Sequence, residues 1–100
     1  MNKKDVIKRI KNIMPKYNPK QAFIFGSYAY GKPNIESDLD LLMITDEDNK
    51  IYYQKVMKDL YHFEVPVELI VLNSKTFEER LTCNTMFQEI KQKGIKIYGN

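Results

Sequence analysis

Three acidic residues and one glycine–serine pair carry the chemistry that this sequence could do. Asp38 and Asp40 are separated by a single residue, Leu39. In an extended strand they share a face, with Cα atoms roughly 6–7 Å apart. Two carboxylates so placed repel and raise each other's pKa unless a cation lies between them. Hard oxygen donors in that pattern suit Mg²⁺, which takes one or two carboxylates together with substrate phosphates. Upstream, the apolar run Gln21–Phe25 stops at Gly26-Ser27. Gly26 permits a sharp turn and a close approach of another group. Ser27 opens Tyr28-Ala29-Tyr30, a stretch able to form one helical turn, and free N–H groups at such a start bind phosphate. Glu68 interrupts the apolar run Val67–Leu72, where a charge is rarely left buried and unpaired. Phosphate and metal seats thus fall at successive strand ends.

The positioning elements follow from periodicity. Val6, Ile7, Ile10, Ile13 and Met14 recur at helical spacing and predict a helix over 3–14, ended by Pro15 and Pro19. Residues 21–25 and 38–44 read as buried strands, joined by the polar, Pro-broken loop Lys32-Pro33-Asn34-Ile35-Glu36. Asp46-Glu47-Asp48-Asn49 is an acidic turn suited to a helix start. Tyr53, Val56, Met57, Leu60 and Tyr61 mark a second long helix over 50–63, with Pro66 blocking its extension. Residues 67–72 are a third strand. Thr76-x-x-Glu79 and Thr85-x-x-Gln88 read as capping boxes of two further helices, the second with Met86, Phe87 and Ile90 inward. Gly94 stops it, and Ile95–Tyr98 is a last strand at the sheet edge. The fold class expected is α/β (α+β), a mixed sheet of about four strands flanked by helices.

The chain has 100 residues, the size of one small domain over 1–100. No apolar run reaches the roughly 20 residues that a membrane span needs. The N-terminal Lys-rich stretch has no apolar segment after it and is not a secretion signal. Cys83 is the single cysteine, which fits a cytoplasmic protein, and His62 the single histidine, so zinc is not suggested. Net charge is +3. Lys3, Lys4, Lys8, Arg9, Lys11, Lys16 and Lys20 precede the motif, opposed only by Asp5. Such a face could attract nucleic acid or an acidic protein, but a solvated helix face is the plainer reading.

Gly26-Ser27, ten intervening residues, and Asp38-x-Asp40 resemble the signature of the polymerase-β-like nucleotidyltransferases. The local form, Gly-Ser-Tyr-Ala-Tyr-Gly followed by Ser-Asp-Leu-Asp-Leu, looks most like the minimal nucleotidyltransferases of bacteria and archaea. The resemblance implies that family's fold and AMP transfer from ATP to a hydroxyl, with Mg²⁺, two ions in all, as cofactor. It implies catalytic and metal-binding roles for Asp38, Asp40 and Glu68, and nucleotide-binding roles for Gly26, Ser27, Lys32 and Ser37. It further implies an antitoxin whose partner is a HEPN-family toxin modified on a tyrosine. Tyr28, Tyr30 and Phe87 are candidate contact residues for that partner. Two positions depart from the pattern: the third acid is commonly Asp where this chain has Glu68, and many relatives carry Arg where it has Tyr30. Two other readings stay open: a member that neutralises its partner by docking alone, and a transferase acting on RNA or a small molecule.

Plainer readings stand beside these. Asp38 and Asp40 could be solvent-side residues, Glu68 a surface acid on an edge strand, and Ser27 only an N-cap. His62 reads as a surface or capping residue, and Cys83 as a passive small side chain. Tyr52, Tyr53 and Tyr61 read as core and rim packing.

Overall fold

The computed structural model describes residues 2–34 and 36–99. Ile35, placed in the connecting loop above, lies outside the described residues. The element order is α1 (Lys3–Tyr17), β1 (Gln21–Phe25), α2 (Ser27–Tyr30), β2 (Leu39–Ile44), α3 (Asn49–Leu60), β3 (Val67–Leu72), α4 (Ser74–Leu81), α5 (Thr85–Lys93) and β4 (Ile95–Gly99). The four strands form one sheet in the order β3-β2-β1-β4. β1 is antiparallel to both β2 and β4, whereas β2 and β3 run parallel. This is the mixed four-stranded sheet with helices that the periodicity predicts, and β4 is an edge strand as expected.

Strand alternation divides the apolar residues between two cores. Leu39, Leu41 and Met43 of β2 point to one face, where they meet Val6, Ile10, Met14 and Tyr17 of α1 and Tyr52, Val56 and Leu60 of α3. Leu42 and Ile44 point to the other, with Phe23, Phe77 of α4, and Phe87 and Ile90 of α5. Because β2 is apolar on both faces, it is the centre of the molecule. Each such side chain contributes about 1.5–3 kcal/mol on burial.

Several boundaries differ from expectation. α1 runs through Pro15 to Tyr17 instead of ending at residue 14. Proline removes one hydrogen bond there, but buried Met14 and Tyr17 hold the last turn, and Asn18 closes it in the left-handed region (φ 46°), its N–H bonded to the Met14 carbonyl. α3 spans 49–60 with Asp48 as its N-cap. The caps of α4 and α5 are Asn73 and Asn84, whose side chains accept from backbone N–H groups, and not the capping boxes at Thr76 and Thr85. Asparagine caps at least as well as threonine, so each helix begins at the asparagine. Phe87 and Ile90 are buried as the helical spacing predicts, but Met86, expected inward with them, is exposed; of the candidate partner contacts Tyr28 and Phe87 are thus buried in the two cores and only Tyr30 is exposed.

Candidate functional site

The acids meet at the end of the sheet where β1 stops and β2 and β3 begin. In the parallel ladder Asp40 lies directly opposite Glu68, and in the antiparallel ladder it lies opposite Phe25. Asp40 shares its face with Leu42, and Glu68 with Ile70, so both project on the side covered by α4 and α5. Asp38 falls one residue short of the strand, which starts at Leu39.

Gly26 seals the other side of Asp40. Its φ is +69°, and a Cβ there would stand 2.0 Å from the Asp40 carboxylate oxygen Oδ2. Glycine is required on both counts: the conformation and the close approach. Gly26 is also the N-cap of the single-turn α2, its carbonyl accepting from the N–H groups of Ala29 and Tyr30. Ser27 is therefore the first helical residue beside the acids, not the cap.

Electrostatics follow from this packing. The Asp40 carboxyl is pushed up to about 6, first by burial, then by the charge and hydrogen bond of Glu68, then by the charge of Asp38. Its acidic neighbours all act in the same direction, which is the repulsion that a divalent cation relieves. Among the described residues, no three acidic, histidine or cysteine side chains close into a set able to hold a metal ion by themselves. The donors fit the other mode of Mg²⁺ binding, in which one or two carboxylates are completed by substrate phosphates. Asp40 and Glu68 are the pair for it, with Asp38 within electrostatic reach.

The remaining expected residues are placed differently. Ser37 is engaged by its own loop: its hydroxyl accepts from the Asn34 N–H at 2.9 Å and donates to the Asn34 side chain at 3.3 Å. Lys32 lines a cleft of about 880 Å³ that opens on the α1 side. One group near the acid site was not expected. The Tyr30 hydroxyl is raised by burial and by the charges of Glu89 and Asp40, so Glu89 of α5 lies within electrostatic reach of Tyr30. Nothing in the local sequence marks Glu89, because only the packing of α5 across β1 brings it there.

Comparisons with known proteins agree with this architecture. The family model described as "Polymerase beta, Nucleotidyltransferase" matches residues 8–100. Two proteins of Methanocaldococcus jannaschii, both bearing the name "putative protein adenylyltransferase", are similar in sequence. MJ0604 is 29% identical over 98% of this chain and all of its own length. MJ1379 is 32% identical over 71% of this chain and 76% of its own. A solved structure of a toxin–antitoxin with AMP-PNP has a TM-score of 0.58 at 20% identity, covering 94% of this chain and 73% of that one; it shares the fold. Acids paired across β2 and β3 beside a glycine-led turn, on a chain matched through nearly its whole length, make this protein a nucleotidyltransferase of the polymerase β family.

Proposed function

We propose that the protein transfers AMP from ATP to a hydroxyl group, and that the acceptor is a tyrosine of a HEPN-family toxin for which this chain is the cytoplasmic antitoxin. The observation that carries the reading is the Asp40–Glu68 pair closed on one side by Gly26. Names of the sequence relatives support adenylyl transfer, and the toxin–antitoxin neighbour with AMP-PNP supports a toxin partner and a nucleotide. Gly26 and Ser27 would hold the β- and γ-phosphates at the start of α2. Asp40 and Glu68, with the charge of Asp38 beside them, would hold Mg²⁺ together with the substrate phosphates, and the ion would supply charge for the pyrophosphate leaving group and a lowered pKa for the attacking hydroxyl. Glu68 would take the hydroxyl proton. The acceptor oxygen bonds to the α-phosphorus, and the bond from that phosphorus to pyrophosphate breaks, in line.

The test is incubation with α-labelled ATP, Mg²⁺ and the product of a neighbouring gene, followed by mass measurement of both proteins. One or more AMP groups on the neighbour, absent with Asp38→Asn/Asp40→Asn, is the expected result. Neutralisation of the neighbour by that folded double variant, with no AMP gained in the wild type, would establish docking instead.

A further inference from the structure

β3 is an edge strand, and its outer side is open. The Leu39 N–H bonds to the Pro66 carbonyl at 2.8 Å and the Thr45 N–H to the Leu72 carbonyl at 2.9 Å. Backbone groups alternate sides along a strand, so the even-numbered residues of β3 turn theirs to β2. Val67, Leu69 and Val71 turn theirs outward, where no strand among the described residues meets them. The other edge is guarded: β4 carries the exposed Lys96, and a register shift interrupts its ladder with β1. β3 has neither lysine nor proline, and its register with β2 is unbroken. An edge left so unprotected is a template for one more strand.

α3 overhangs this edge with apolar side chains. Tyr52 and Asp59 face α1, where they meet the Tyr17 carbonyl and Lys16. Val56 and Leu60 are buried against the sheet. At roughly 3.6 residues per turn the next face round, away from α1, is Tyr53, Met57 and Tyr61. Tyr53 is 42% exposed and Tyr61 79%. A strand added to β3 would lay alternate side chains on that stripe, and the others on the face of Glu68, Ile70 and Leu72. Added antiparallel, it would bond to Val67, Leu69 and Val71, leaving Glu68 at a non-hydrogen-bonded pair with its opposite Cα about 4.5 Å away. A tyrosine there, or diagonally across, is within side-chain reach of Glu68. We infer that the β3 edge is the docking surface for the acceptor protein, which adds an extended segment as a fifth strand with its tyrosine aligned on Glu68 and apolar residues on either side of that tyrosine. A second copy of this chain fits less well, because its own β3 would set an apolar side chain against Glu68 and shut out the acceptor hydroxyl. The tyrosine's role rests on the proposed transfer reaction; the strand addition does not depend on catalysis.

The test measures binding to the full chain of a fluorescent peptide with tyrosine between two valines and threonines outside them. N-methylation of both valines, whose N–H groups would face β3, should weaken binding at least about tenfold. N-methylation of the tyrosine and of the residue two before it, whose N–H groups would face solvent, should leave binding within about threefold. Tyr53→Ser and Tyr61→Ser should each weaken it about three- to tenfold, and Ile51→Ser, on the other side of α3, less than about twofold. Equal weakening by the two methylation patterns, equal effects of the three substitutions, or no binding would overturn the inference. So would a free chain that sediments as a dimer broken by Tyr53→Ser, which would give the edge to a second copy. Binding with the expected register but no AMP gained from MgATP would uphold strand addition and sink the transfer reaction. AMP passing equally to both methylated peptides would do the reverse.

Discussion

Asp40 is the residue on which the site's acid–base behaviour turns. Its carboxyl titrates at about 6 in the folded chain against an ordinary 3.8. A carboxyl raised by folding contributes stability that is complete below its unfolded pKa. That contribution is lost as pH rises from about 4 through about 6. With a chelator present, Asp40→Asn should therefore match the wild type at pH 4 and exceed it at pH 8, by about 1–2 kcal/mol once solvent screening is discounted. Urea melts at the two pH values check it; a gap that does not widen with pH would mean that the Asp40 carboxyl is neither buried nor crowded by its acidic neighbours. Gly26 makes the complementary prediction. Gly26→Ala places a methyl on the Asp40 carboxylate and demands φ +69° of an alanine. It should cost about 1–3 kcal/mol of stability and displace Asp40, cutting AMP transfer by about 100-fold. Urea melts and transfer kinetics read the two losses separately.

At the scale of elements, the site depends on how helices are fastened to strand ends. Asp46, just beyond β2, accepts from the Ser74 N–H at 3.0 Å and pairs with Lys20, which precedes β1. One exposed carboxylate so ties β1, β2 and α4, and its partners, Lys20 first and then Ser74, hold it down at about 2. A depressed carboxyl contributes stability that is present above its unfolded pKa, near 3.8, and lost as pH falls through about 2. Asp46→Ala should lower the melting temperature at pH 7 and speed amide exchange in α4, with the difference vanishing near pH 2. Unchanged exchange would show that Asn73 alone holds the helix. These fastenings also mark what was legible in the chain. The strands 21–25 and 67–72 could be read outright, since apolar runs bounded by Gly26 and Pro66 leave little choice. Helix starts could not: at Asn73 and Thr76, or Asn84 and Thr85, either residue caps well, and only the turn geometry decides. Asp40 beside Glu68 required strand pairing that periodicity suggests but does not fix. Glu89 and the cleft at Lys3 arise from contacts between distant segments and leave no local pattern.

For the whole molecule, the decisive feature is that two cores share one thin sheet and the acids occupy the end of it. α1 and α3 close one face, locked together where the buried Tyr52 hydroxyl donates to the Tyr17 carbonyl at 3.1 Å and Tyr17 meets Asp59. α4 and α5 close the other. A domain of this size buries only about two-thirds of its unfolded surface, so any ligand bridging β1, β2 and β3 should add visibly to stability. At a concentration about 100-fold above Kd that gain is about 2.7 kcal/mol. The acids repel the triphosphate until a cation lies between, so the gain should require both components: ATP with chelator should shift the melting temperature little, Mg²⁺ alone modestly, and Mg²⁺ with ATP by several degrees. Asp38→Asn/Asp40→Asn should abolish the last shift while melting at or above the wild-type temperature at pH 8. An equal shift by ATP with and without Mg²⁺ would place the triphosphate on the lysines of the chain and remove the carboxylates from nucleotide binding.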